Sequence, residues 1–450
     1  MPNAAKSAVA PIYLFACLIL GGSAQGIWQN MLLQLTGLGI IAWSAATTAD
    51  EPLPKSARSL LLILLAGLVV VALQLIPLPP FSSGLRGRVA GDYALLGQRA
   101  PWLPISLTPY ATLNSVLGII PPLAVGCAIL RLGAFRASWQ AAALLGGAVA
   151  GIILGALQVA APGTTSPWYL YRETNHGVAV GFFANANHMA DLLVAALPFV
   201  AALAAAGRSR NIQRYSSLVA ILAGAAVLLI VGIIINGSLA GYVLAVPAIA
   251  ASALILAPPS RSLRVPLAIV AGLAVVAAVG ALASTSIGSS RIGQEASGSV
   301  QSREAILKTT GKAIADTMPL GSGLGSFVEV YPLYEKLDQA TPEYVIHAHD
   351  DYAELTLELG LAGVLLILGF FGWWLAAVRA GWRMGGGGPY ARAASIATGV
   401  ILVHGLVDFP LRTAAVSATF AMCLALLIDR RPAQRQDPSD LRPARHIVIS

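Results

Sequence analysis

Apolar stretches long enough to cross a bilayer recur along almost the whole of this 450-residue chain, at roughly 9–24, 29–48, 59–78, 111–131, 138–161, 183–206, 216–235, 238–257, 264–284, 352–378, 391–408 and 411–429. A spanning helix needs about 20 predominantly apolar residues. The pattern predicts about twelve transmembrane helices in an all-α polytopic membrane protein. Composition agrees: 11% of residues are charged, against about 25% in soluble domains, and mean hydropathy is +0.75. Cys17, Cys127 and Cys423 all fall inside predicted spans and read as small buried apolar residues, not as a disulfide framework or metal site. The first stretch has a small-residue exit at Gly21–Ala24 like that of a signal peptide. More spans follow at once, so it reads as an uncleaved helix.

Basic residues set the orientation. With the amino terminus inside, Lys6, Lys55, Arg58, Arg131, Arg136, Arg208, Arg210, Arg214, Arg261, Arg379, Arg383 and Arg392 all fall on the inner side. This excess accounts for the net charge of +8 without invoking a nucleic-acid partner. The elaborated loops, 79–110, 162–182 and 285–350, then all face outward. Elaboration of one face places the work of the protein there. The tail 430–450, rich in Pro, Arg and Asp, has a disordered composition.

The loop 285–350 is the one long polar interruption, and it ends in His347-Ala-His349-Asp350-Asp351 just before an apolar segment. Ionisable groups at a membrane surface call for a reason. Within it, residues 302–317 have helical periodicity. Ile306, Leu307, Thr310, Ala313, Ile314 and Thr317 form one face, and Glu304, Lys308, Lys312 and Asp316 form the other. Arg303 falls in the middle of the apolar face. It either snorkels from the helix end or turns a guanidinium suited to phosphate toward a pocket. Asp351 and Glu354 have capping-box spacing. A histidine ahead of that cap, His349, has no comparable structural task and suits general-base chemistry near neutral pH. His347 is not separated from it by sequence. Asn187 with Asp191, and Asn185 with His188, share helical faces, as do His404 and Asp408, with Arg412 following. Interhelical hydrogen bonding and an internal ion pair are the plain readings of these sets; substrate contact is the other.

These residues resemble the O-antigen ligases and the related O-antigen or exopolysaccharide polymerases, over roughly 175–375. Gly181-Phe-Phe-Ala-Asn-Ala-Asn-His-Met-Ala is similar to the family's helix start. Ser302-Arg303 followed by Pro319-Leu-Gly-Ser-Gly-Leu-Gly-Ser-Phe327 is similar to its loop signature. His349-Asp350, nine residues, then Gly360-Leu-Ala-Gly363 is similar to its histidine motif. Two positions depart from the family: Asp350 stands where Asn is usual, and Leu239 follows Ser238 where many members have arginine. The resemblance implies an amino-terminal helical region 1–174, a ligase-like core 175–378, carboxyl-terminal spans to 429 and the tail. It implies a multi-pass protein of the bacterial inner membrane with its site facing the periplasm. The activity implied is transfer of an undecaprenyl-diphosphate-linked glycan to a glycan or lipid A-core acceptor, with no metal and no cofactor. His349 would activate the acceptor hydroxyl, and Arg303 with Arg172 would hold the diphosphate. Asn187, His188, Asp351, Asp408 and Arg412 would contact substrate. Polymerisation of repeats is the first expectation and ligation to lipid A-core the alternative. A transporter or flippase is the reading from another class; it predicts charges deep within several spans and internal repeats, whereas here the ionisable residues gather at the outer ends.

Overall fold

The computed structural model describes residues 2–23, 27–47, 52–79, 84–132, 136–208, 212–256, 286–336, 344–383 and 386–428. The expected span 264–284 and the tail lie outside them. The fold is nearly all helical. Its helices are α1 (Pro2–Leu20), α2 (Trp28–Ala46), α3 (Lys55–Gln74), α4 (Gly84–Leu95), α5 (Pro109–Leu117), α6 (Ile120–Arg131), α7 (Ala137–Ala160) and α8 (Ala186–Ala206). They continue as α9 (Ile212–Asn236), α10 (Leu239–Leu256), α11 (Ser286–Thr317), α12 (Phe327–Val330), α13 (Asp351–Trp382), α14 (Pro389–His404) and α15 (Ala414–Leu427). A two-residue antiparallel ladder pairs Pro77–Leu78 with Leu103–Pro104.

Seven helical stretches among the described residues are long and apolar enough to cross a membrane: 55–74, 109–131, 137–160, 186–206, 213–236, 239–256 and 351–382. The apolar helices at 5–20 and 414–427 are shorter. The expected count of about twelve is therefore not reached on this measure. One physical reason lies at the carboxyl-terminal end. The last two expected spans fall short, because α14 stops at His404 after 16 residues and α15 has 14, with a turn between them that carries buried Asp408 beside exposed Leu406 and Val407.

α8 is the central helix. It packs on α7, α9, α10 and α14, with Leu193, Ala195 and Phe199 fully buried. One hydrophobic core joins it to α1, α6, α14 and α15. A second, smaller cluster sits at the end of the bundle that carries the long loop. There Ile306 and Ala313 of α11 meet Phe327, Val330, Tyr331, Ala348 and Leu357. This cluster seats α11 against the start of α13. Leu307, expected on the inner face, is exposed, and Thr309 is buried instead.

The glycine-rich segment after α11 docks on a break inside α13. Gly360 has φ 62° and ψ −143°, a conformation open to glycine alone. Around it Ser322 N–H donates to Leu357 O (3.0 Å), Gly323 N–H to Glu358 O (2.9 Å) and Leu361 N–H to Pro319 O (2.9 Å). A side chain on Gly360 would collide with the Pro319 carbonyl. Buried Gln74, at the end of α3, closes the joint. Its amide donates to Glu358 O (2.8 Å) and Leu320 O (3.3 Å) and accepts from Leu324 N–H (3.2 Å). The loop 162–182 is fastened in the same manner by Gln158 of α7, which bonds Trp168 O, Gly181 O and the N–H groups of Val180 and Gly181.

Candidate active site

Six parts of the chain bring polar side chains to one end of the bundle, and Asp408 is their focus. It lies in the turn after α14 and is fully buried. Asn187 Nδ2 donates to Asp408 Oδ2 at 2.6 Å, and the Phe409 N–H donates to Oδ1 at 2.9 Å. Arg303 reaches Oδ2 at 3.5 Å. His349 Nδ1 lies 3.5 Å from Oδ1, His404 Nε2 3.8 Å from Oδ2 and His188 Nε2 3.9 Å from Oδ1. Burial disfavours the Asp408 carboxylate. The close approach of His349 and the charges of His188 and His404 outweigh it, so the carboxyl stays far below the usual carboxylate range.

Local sequence explains the placement. Asn185 caps α8, its side chain accepting from Asn187 N–H. That cap starts the helix so that Asn187, His188 and Asp191 project toward the turn. Ser238, at the head of α10, donates to Asn187 Oδ1 at 2.7 Å and so turns the amide's donor end onto Asp408. Asn236 ties the same turn to Ala179 O and Ala186 O. On α11 the apolar-face position of Arg303 directs its guanidinium inward to Asp408, while Glu304 and Lys308 pair on the exposed side at 2.6 Å. His349 has φ 50°, a left-handed conformation uncommon outside glycine. It and His347 both pack on the Phe409 ring, at 5.1 and 4.1 Å between centroids, and His188 meets the same ring at 5.1 Å.

The cap of α13 falls one residue earlier than its spacing suggests. Asp350, not Asp351, is the N-cap, accepting from Tyr352 and Ala353 N–H at 2.9 Å each. Asp is as good a cap as Asn, so the family departure at 350 preserves the helix start. Glu354 is freed from a capping box. It accepts from Ala348 N–H (2.8 Å), bonds His347 Nδ1 (2.9 Å) and pairs with Arg412 (3.2 Å). Arg412 also reaches Glu358 at 3.3 Å and Asp351 at 3.8 Å. Burial alone would disfavour the Arg412 cation, but these three carboxylates raise its pKa above that of a free guanidinium. Asp351 and Arg412 thus form a second group beside the first.

Arg172 does not join either group. It is exposed and makes no hydrogen bond or ion pair among the described residues. Two participants, Glu358 and Ser238, were not singled out as site residues by the sequence, and one pairing was not legible. Asp191 and His404, each read from the sequence on a polar helical face, form a buried pair with one another at 2.7 Å. Glu358 had no sequence reading of its own. Ser238 stood beside the position where an arginine was missed.

Three members of the Asp408 group are partly exposed: Arg303 at 29% and His349 at 27% side-chain exposure, and half-buried Asn187; Asp408 is at 0%. The arrangement therefore presents one cation and one imidazole to a ligand, each backed by the same buried carboxylate. His349 Nδ1 faces Asp408. In the tautomer with the proton on Nδ1, the Nε2 lone pair is left to accept a proton. No group of three or more His, Cys, Asp or Glu side chains among the described residues is arranged to hold a metal ion. An open cavity of about 250 Å³ lies elsewhere, lined by Pro79, Arg86, Pro101 and Leu103, and includes none of the Asp408 group.

Residues 224–368 match the family model described as O-antigen ligase. The match contains Arg303, His349 and the docked glycine segment, and ends short of His404, Asp408 and Arg412. No curated protein matches the chain.

Proposed function

We propose, for a chain whose residues 224–368 place it in the O-antigen ligase and polymerase superfamily, that it transfers a lipid-diphosphate-linked glycan to a glycan acceptor, polymerising repeat units on the periplasmic face of the bacterial inner membrane. The observation that carries this reading is the convergence of solvent-reaching Arg303 and His349 on buried Asp408. His349 Nε2 takes the proton of the acceptor hydroxyl, and the acceptor oxygen bonds to the anomeric carbon. The bond from that carbon to the diphosphate oxygen breaks with its electron pair, leaving the undecaprenyl diphosphate. Arg303 neutralises the charge that develops on the leaving diphosphate. Asn187 and His188 hold Asp408, and through it the tautomer of His349; Asp351 and Arg412 brace the base of the site. Arg172, exposed at the mouth of the 162–182 loop, is a candidate contact for the donor glycan.

Ligation to lipid A-core is the second reading, favoured by the family description itself. The glycan profile of a deletion strain separates the two. Polymerase loss leaves surface glycan capped with a single repeat. Ligase loss leaves full-length glycan on its lipid carrier. Accumulation on the cytoplasmic side overturns both in favour of a flippase.

A further inference from the structure

Asp191 and His404 lie one shell behind the proposed base, and both are almost fully buried. His404 sits between two carboxylates. Its Nδ1 is 2.7 Å from Asp191 Oδ2, and its Nε2 is 3.8 Å from Asp408 Oδ2. A neutral imidazole has a single N–H, so it satisfies one carboxylate and turns a lone pair toward the other; an imidazolium donates to both. Among the described residues Asp191 has no other hydrogen-bond or ion-pair partner, and its Oδ1 has none at all. An ionised carboxylate buried with one neutral partner is strongly disfavoured. The Asp191–His404 pair must therefore hold one proton more than a neutral histidine and a free carboxylate would.

We propose that Asp191 and His404 are positioning residues: a buried, proton-loaded pair that turns a cationic edge to Asp408 and keeps its carboxylate ionised and facing His349. The inference rests on the reading of His349 as the base. Charge balance supports it. With His404 cationic, the two aspartates, His404 and Arg303 sum to zero, the state a low-dielectric site favours. Geometry supports it too, because His404 and His349 approach opposite oxygens of the one carboxylate. The titratable groups around His404 are Asp191 and His188 on α8, Asp408 and Arg412 in the following turn, Arg303 on α11 and, across Gly405, Asp351 at the head of α13, with Tyr352 beside it donating to Leu402 O. The other two helices packed on α14, α10 and α15, carry Tyr242 and Cys423 as their titratable side chains.

The test is the pH profile of glycan transfer by the purified full-length protein, with a short-chain polyprenyl-diphosphate glycan as donor. His404→Gln and the isosteric Asp191→Asn each remove the cation facing Asp408. The negative field of Asp408 is then uncompensated on the side away from the base. The expected result is an acid limb of kcat displaced upward by about one pH unit, with kcat down on the order of tenfold and donor KM within about twofold. The double variant should match the single ones, because the pair acts as a unit. Should His404→Gln not fold, Asp191→Asn carries the same readout. Lowered activity with an unmoved pH profile overturns the proposal, since that is a packing defect. His349→Ala run alongside separates the two readings. Activity retained there overturns the base assignment, and a dead His349→Ala with unmoved profiles in the pair variants overturns the pair alone.

Discussion

His347 and His349 share the short approach to α13 yet reach different partners. His349 faces Asp408 and opens to solvent, while His347 is bonded to Glu354 and covered by Phe409. His349→Ala should abolish transfer while membrane insertion stays intact, and His347→Ala should be milder, because it removes a brace and not the base. Equal loss in both, in an assay of transfer by membranes of matched protein content, would remove the distinction. Arg303 meets Asp408 through one nitrogen of its planar guanidinium, at 3.5 Å. A lysine offers only a point charge there, so Arg303→Lys should weaken binding of a lipid-diphosphate analogue nearly as much as Arg303→Ala; unchanged binding would return Arg303 to a snorkelling role. Asp408 also carries a stability prediction. Its folded-state pKa is depressed, so its pairing stabilises fully above the ordinary carboxylate value of about 4 and is lost as pH falls below that. Asp408→Asn should cost about 3 kcal/mol at neutral pH. It should also flatten the acid side of a thermal-midpoint series; an unchanged acid slope would contradict the pairing.

At the scale of elements, the joint between the glycine segment and α13 decides where the base sits. Gly360→Ala puts a side chain into a left-handed position against the Pro319 carbonyl. It should cost on the order of 1–3 kcal/mol, seen as a lowered thermal midpoint together with lowered transfer; wild-type stability would show that the joint is dispensable. Part of this element logic was readable in the chain. The period of 302–317 put Arg303 on the apolar face, and of the two readings that position allows the structure has the inward one; the glycines of the joint stood in the sequence only as motif positions. Other parts were not readable, for physical reasons. Asp408 stood at the end of an expected span with His404 as its partner; its role as the focus of the site was not readable, because Asn187, Arg303 and His349 lie some 60 to 220 positions away. The cap was assigned to Asp351 because two adjacent aspartates satisfy the same pattern one residue apart. Arg412 looked like a partner for Asp408. Its three carboxylates come from successive turns of α13, a coincidence of packing.

For the whole molecule, the polar groups gather at one end of an apolar bundle, the end that carries the 286–350 segment. The proposal puts that end outside the cell membrane, the side opposite the basic loops. Lys336→Cys, in a variant lacking the native cysteines, should react with a membrane-impermeant maleimide in spheroplasts, and Arg383→Cys should react only after permeabilisation; the reverse pattern would invert the topology. The central claim is that this end carries out metal-independent glycan transfer from a lipid diphosphate, and one reconstitution tests it most directly. The purified protein is given a lipid-diphosphate-linked glycan donor and a glycan acceptor in excess EDTA. The account predicts one new glycan linkage for each lipid diphosphate released, in the wild type but not in Arg303→Ala or His349→Ala. Turnover that stops in EDTA and returns with a particular divalent ion would contradict it, and would recast His347, His349 and Asp351 as candidate metal ligands.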